Sequence, residues 1–319
     1  MDTLYFGGGT PSRLGADGVA RLLGALGDRM TLASDAEITL EANPEDVNAE
    51  SVAAWRDAGV NRLSIGAQSF DDRVLQWMHR SHDAAMIEHA ADSARRGGID
   101  NVSLDLIFAL PSGVDRSWPA DVARALELEP SHLSLYGLTV EPHTPLGRWT
   151  ARGDVAESPD ERYEDEFLHA HETLSAAGFD HYEVSNFGRA GRHSRHNSTY
   201  WSGRPYVGLG PSAHGFDGEV RRWNASAYAD WVRRVAGQSD PIDGSEALTA
   251  ENRAAERVYL GLRTTAGLIM SGTEASRVRS WVEAGWASVN PGDRVVLTPL
   301  GWLRLDTLAA DLTVARSHY

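Results

Sequence analysis

Along the first half of the chain, short apolar runs alternate with longer stretches of helical period. Residues 4–6 form one such run, which passes directly into Gly7-Gly8-Gly9-Thr10-Pro11-Ser12. Val19, Leu22, Leu23, Leu26 and Met30 then recur at the spacing of an amphipathic helix. The alternation repeats, with strands predicted at 37–41, 62–65, 102–108 and 132–136. Helices are predicted near 49–58, 72–78, 83–96 and 117–129, the last closed by Pro130. Short, nearly all-apolar strands between helices predict a parallel sheet with helices packed over it. The five strands predict an α/β fold, a partial (β/α)6 barrel missing its first βα unit. That unit, of roughly 30 residues or more, is expected ahead of Met1.

The pattern changes near residue 142. A helix at 161–177 carries Tyr163, Phe167 and Leu174 on one face and leads to a short run at 181–184. Residues 191–201, rich in Arg, His and Asn, read as irregular, and a glycine-rich stretch follows at 206–216. Helices near 250–263 and 273–284 precede runs at 287–290 and 294–298, joined by the turn Pro291-Gly292-Asp293, and a last helix covers 300–312. Helices followed by a hairpin predict an α+β, winged-helix-like accessory domain. The expected division is a barrel at 1–145, an extension at 146–245 and the C-terminal domain at 246–319.

Composition narrows the chemistry. The chain is 42% hydrophobic, enough for a core, without an apolar run long enough to span a bilayer. No charged-then-apolar leader opens it, so a cytoplasmic location is expected. It has no cysteine, which excludes disulfides, zinc–cysteine sites and protein-ligated iron–sulfur clusters within this chain. It has no lysine either, so Schiff-base and P-loop lysine chemistry are excluded. The net charge of −15 argues against a nucleic-acid partner.

Gly7-Gly8-Gly9-Thr10 sits at the C-terminal end of a strand, where ligands bind in parallel α/β folds. Glycines there let backbone groups approach a ligand, although the same run also suits a tight strand–helix turn. Glu41 closes the second strand, Gln68 follows the third, and Asp105 interrupts the apolar run of the fourth. A carboxylate at such a place is costly to bury unpaired. Arg80, after the third strand, is a candidate partner, or a bidentate binder of a ligand carboxylate. Three polar groups at the mouth of one barrel predict a shared polar ligand.

GGGTPS, EANP, NRLSIGAQSF and LDLIFALP, in this order, resemble the radical S-adenosylmethionine proteins of the oxygen-independent coproporphyrinogen III oxidase type. The resemblance covers nearly the whole chain. It implies an S-adenosylmethionine site at the barrel mouth, at Gly8, Gly9, Thr10, Glu41, Gln68, Arg80 and Asp105. The glycine-loop backbone suits the ammonium group, Arg80 the carboxylate, and the acidic and amide side chains the ribose hydroxyls. Arg195-His196-Asn197-Ser198-Thr199-Tyr200-Trp201 carries an HNxxYW pattern, followed by Gly208-Leu209-Gly210-Pro211-Ser212-Ala213-His214-Gly215. That pair resembles the HemW-like heme chaperones of this family. It implies a heme site at His196, Asn197, Tyr200 and Trp201, with His196 as ligand to the heme iron. Histidine is a common axial ligand and flat aromatics suit a porphyrin face. Arg192 and Arg195 are candidates for the propionates, and His193 and His214 are weaker ligand candidates. Gly208, Gly210 and Ala213 imitate a dinucleotide fingerprint, but no acid ends a second strand about 20 residues on.

The expected function is therefore binding of heme and its transfer to an acceptor protein, with no nucleic-acid partner and no integral membrane segment. The alternative is oxidative decarboxylation of coproporphyrinogen III by a radical mechanism. The family's [4Fe–4S] cluster is held by a CxxxCxxC arrangement after the first strand, and its three cysteines are absent here. Radical chemistry is thus not expected of the chain as written, and an N-terminally truncated product is expected to explain the absence.

Overall fold

The computed structural model describes residues 1–142 and 144–317. The chain forms two compact units, Met1–His196 and Asn197–Tyr319.

The first unit alternates strand and helix as predicted. Its elements are β1 (Thr3–Phe6), α1 (Gly15–Gly27), β2 (Glu37–Ala42), α2 (Ala49–Ala58), β3 (Arg62–Gln68), α3 (Asp72–Trp77) and α4 (Ala84–Arg96). There follow β4 (Asn101–Phe108), α5 (Trp118–Glu127), β5 (His132–Gly137), α6 (Pro145–Ala151), α7 (Asp160–Ala176), β6 (Asp180–Glu183), β7 (Asn186–Gly188) and the start of α8 (Arg195–Trp201). Local chemistry sets several boundaries. Asn48 and Ser51 form a reciprocal capping box at the start of α2, and the Asp83 and Ser117 side chains accept the first free amides of α4 and α5.

β1 to β5 pair in parallel in chain order and curl into a half-barrel, and β7 then β6 extend the sheet antiparallel beyond β5. The β6–β7 hairpin joins this sheet although the sequence pattern gives no sign of it. Nor are the strands all-apolar, since they alternate. Ile38, Leu40, Leu63, Ile65, Leu104, Leu106, Leu133 and Leu135 are buried. With Val52, Trp55, Ile87 and Val122 of the helices they form the core. The intervening row is polar: Thr3 and Tyr5 on β1, Glu37, Thr39 and Glu41 on β2, Arg62 and Ser64 on β3. Ser103 and Asp105 on β4, and His132, Ser134 and Tyr136 on β5, continue it. The parallel register aligns these positions, with Thr39 opposite Arg62, Ser64 opposite Ser103, and Asp105 opposite Ser134. The half-barrel thus has a polar inner face.

The second unit contains β8 (His214–Phe216), β9 (Val220–Asn224), α9 (Tyr228–Ala236), β10 (Ile242–Ala247), α10 (Ala250–Arg263), β11 (Leu268–Ile269), α11 (Ala275–Glu283), β12 (Ala287–Asn290), β13 (Arg294–Leu297), α12 (Pro299–Trp302) and α13 (Leu305–Ser317). Its two small sheets run β10-β9-β8 and β11-β13-β12. The second of these, with α10 and α11, has the predicted winged-helix-like makeup. Two expectations need correction. Residues 191–201 are not wholly irregular, because 195–201 form α8. The single last helix is two, broken between Trp302 and Leu305. No helix among the described residues is long and apolar enough to cross a membrane.

Candidate functional site

At the C-terminal ends of β1 to β5 lies a cleft of about 600 Å³, lined by Gly9, Thr10, Glu41, Gln68, Arg80 and Asp105 among others. Gly8 adjoins it, its N–H donating to Glu41 Oε2 at 3.0 Å. Every residue expected at the barrel mouth is therefore brought together. The glycine run is required by its geometry. Gly8 and Gly9 have φ of 79° and 83°, and a Cβ on Gly7 would lie 2.5 Å from the Tyr5 ring. The sequence reading missed Tyr5, Asn43, Ser64 and Tyr136, which also line the cleft. Tyr5 looked like a core aromatic. Its O–H donates to Glu41 Oε1 at 2.7 Å, and burial and the Glu41 charge push its pKa up.

Arg80 follows α3 in a turn closed by its own N–H donating to the Leu75 carbonyl at 2.9 Å. Burial lowers the pKa of its guanidinium, and the Glu45 carboxylate opposes that shift. Glu45 is itself fixed, accepting from Ser81 Oγ and lying 3.3 Å from His82 Nδ1. Burial works to raise the Glu45 carboxyl, but hydrogen bonding outweighs it and holds the group low. The cleft is thus acidic on the β2 and β4 side and cationic at Arg80.

Beneath the cleft the inner face is a hydrogen-bonded chain. Asp105 accepts from Ser64 Oγ at 3.0 Å, and Ser103 Oγ lies 3.2 Å from Asp105 Oδ1 and 2.8 Å from His132 Nδ1. His132 Nε2 meets the Tyr182 hydroxyl at 2.8 Å, and that hydroxyl accepts the Ser194 N–H at 3.1 Å. One tautomer satisfies every link, with Tyr182 donating to Nε2, Nδ1–H to Ser103, and Ser103 to Asp105. Burial keeps His132 neutral, its pKa well below the usual value, and raises the Asp105 carboxyl to about 6.

The chain of bonds ends where the HNxxYW segment begins. Glu37, 5% exposed on β2, accepts the N–H groups of Arg195 at 3.2 Å and His196 at 3.0 Å. The His196 ring stacks on Tyr5 with centroids 4.9 Å apart, and its Nδ1 meets Thr3 Oγ1 at 2.9 Å. Burial lowers its pKa to about 4, so the imidazole is neutral at physiological pH. With Nδ1 engaged by Thr3, a metal ion would have to be met by Nε2.

The boundary between the units falls after His196, and Asn197, Tyr200 and Trp201 belong to the second. There Tyr200 packs edge-on against Tyr206 at 4.7 Å, and the Arg263 guanidinium lies 4.2 Å over the Trp201 ring. Asn197 is half-buried. Of the weaker candidates, His193 stacks on Tyr182 and sits 3.3 Å from Asp180, while His214 tilts against Trp223.

Three groups can be tested against these residues. A [4Fe–4S] cluster does not fit, because the chain has no thiolate. Among the described residues, moreover, no three His, Asp or Glu side chains gather to hold a metal ion. An adenosyl ligand fits in size and chemistry, since the cleft volume lies in the usual small-molecule range and carboxylates suit a vicinal diol. A heme iron fits His196, a neutral imidazole braced at Nδ1.

The Radical SAM superfamily model matches residues 1–124. The solved coproporphyrinogen III oxidase HemN of Escherichia coli has a TM-score of 0.81 over 97% of this chain and 77% of its own, at 22% identity, which shows a shared fold. The heme chaperone HemW of Synechocystis is 38% identical over 84% of this chain, which spans 66% of that protein's length. HemW of Mycobacterium tuberculosis is 39% identical over 98% of this chain and 80% of its own length. With similarity at that level running almost from end to end, on a half-barrel whose loops gather at one polar cleft, the chain belongs to the HemW family of radical SAM proteins.

Proposed function

We propose that this chain is a heme chaperone, binding heme through His196 and passing it to an acceptor protein in the cytoplasm. The observation that carries the reading is the state of His196: a neutral imidazole, braced by Thr3 and stacked on Tyr5, at the head of the HNxxYW motif. Thr3 fixes the ring orientation and Glu37 fixes the backbone that carries it. In the three-part division proposed for the chain, residues 1–145 supply the adenosyl cleft and 146–245 the heme-handling motif. Residues 246–319 then form the accessory domain. Asn197, Tyr200 and Trp201 are the family-pattern companions of His196 in this reading.

S-adenosylmethionine is the proposed occupant of the cleft. Glu41 and Asp105 would accept from its ribose hydroxyls, and Arg80 would meet its carboxylate. When bound with a cluster, such a cofactor supplies radical chemistry. This chain offers no thiolate for the cluster, and no radical step is assigned to it.

Heme titration tests the reading. A Soret band is expected to develop in the wild type, with binding weakened about tenfold or more in His196→Ala, as for loss of a metal ligand's support. A band of unchanged position and affinity in His196→Ala overturns the assignment.

A further inference from the structure

Tyr5 touches both candidate sites. Its hydroxyl belongs to the cleft, where it donates to Glu41 Oε1 at 2.7 Å while the other Glu41 oxygen accepts the Gly8 N–H at 3.0 Å. Its ring belongs to His196, stacked at 4.9 Å with 21° between the planes. Both contacts come from one strand, because Thr3 and Tyr5 share a face of β1 and Thr3 holds His196 Nδ1.

We propose that Tyr5 is a positioning residue through which the occupant of the cleft and His196 affect each other. The proposal rests on the reading of the cleft as a nucleoside site and of His196 as a heme ligand, and it adds the regulation of that pair. A ligand with a vicinal diol that donates to Glu41 must share or displace one of the two donors Glu41 already holds. One of those is the Tyr5 hydroxyl. The ring passes so close to Gly7 that a single methyl group there would overlap it, so the glycine is what lets the ring lie in this place. A hydroxyl that shifts to make room carries its ring with it, and a change in the stack with the imidazole alters how His196 presents Nε2. Coupling of this kind is reciprocal, so heme on His196 must change the affinity of the cleft by the same factor.

A second route exists and has to be separated. The hydrogen-bonded chain from Asp105 through Ser103 and His132 to Tyr182 ends on the Ser194 amide, two residues before His196. Tyr5→Phe breaks the first route and keeps the ring stack. Tyr182→Phe breaks the second and keeps the ring against His193.

The experiment uses the full chain, labelled uniformly with a nitrogen isotope visible to NMR, at one fixed pH without heme. S-adenosylmethionine is titrated while the His196 ring resonances and the Gln68 amide, which reports the cleft, are followed. The wild type is expected to show both signals moving on one saturation curve. In Tyr5→Phe the Gln68 amide still saturates and His196 stays fixed, and Tyr182→Phe behaves as wild type. Glu41→Gln without ligand is expected to move the His196 resonances in the wild-type background and not in Tyr5→Phe. With heme, saturating S-adenosylmethionine is expected to change the wild-type Kd about fivefold or more, and not to change that of Tyr5→Phe. A His196 signal that stays fixed while Gln68 saturates in the wild type overturns the proposal. So does a Tyr5→Phe variant that responds as the wild type does. Because the ring signals are read without heme, a missing Soret band counts against the heme reading alone.

Discussion

Asp105 illustrates how a buried carboxylate on the polar face of a strand makes stability depend on pH. It sits on the polar face of β4 at the floor of the cleft, where burial raises its carboxyl to about 6 against hydrogen bonds from Ser134 and Ser64 and the Arg62 charge. The unfolded chain titrates this group near ~3.9. Between about pH 4 and pH 6 the folded state therefore holds the extra proton, and linkage makes stability fall as pH rises through that window and level off above it. Asp105→Asn removes the titration. Urea unfolding from pH 4 to 7 is expected to show a decline smaller than that of the wild type by about 3 kcal/mol in total. Identical pH profiles for the two proteins would contradict this account. Asp105 could be found from sequence because a carboxylate stands out in an apolar run. Tyr5 could not, because Thr3-Leu4-Tyr5-Phe6 reads as a core strand until its partner Glu41, 36 residues away, is placed beside it.

At the scale of elements, α8 is the instructive case. Seven residues are too few to form a stable helix by propensity, and the segment has no apolar period to announce one. It forms because a buried carboxylate on β2 takes the amides of Arg195 and His196, and because the Arg195 guanidinium reaches the Asp35 carbonyl. Glu37 also faces Arg62, 2% exposed, whose Nε is 4.0 Å from Glu37 Oε2. Glu37→Ala would leave the two amides without their acceptor and the buried Arg62 guanidinium without the carboxylate charge beside it. A loss of about 3 kcal/mol or more is expected, and a melting temperature lower by roughly 10 °C. Glu37→Gln, which keeps an acceptor oxygen, is expected to lose less. Thermal unfolding of both variants checks the order, and equal melting temperatures would remove Glu37 from the account of α8.

For the whole molecule, charge is unevenly divided. The acidic excess lies in Met1–His196, while acidic and basic side chains balance in Asn197–Tyr319. The second unit, with its winged-helix-like elements, therefore carries no net positive charge, which phosphate-backbone binding favours. The full chain is expected to pass through a heparin column at about 0.1 M salt, near the ionic strength where the screening length is ~10 Å. Retention there, released by added salt, would reopen a nucleic-acid role.

The order of elements in the first unit was written in the sequence, because apolar residues at period two and period three to four report the local geometry that buries them. The residues Glu41, Gln68 and Asp105 were legible because carboxylate and amide side chains stand out within or at the ends of short apolar runs. What faces what was decided only by tertiary structure. The same alternation that puts Leu40 and Ile65 into the core puts Glu37, Arg62 and His132 on the opposite face, and only the parallel register aligns that row into one polar interior. Likewise Glu37 precedes the amides it caps by more than 150 residues, and Thr3 lies 193 residues from the imidazole it holds. Pairings that distant leave no local pattern in a chain. They exist because folding closes the loop between them.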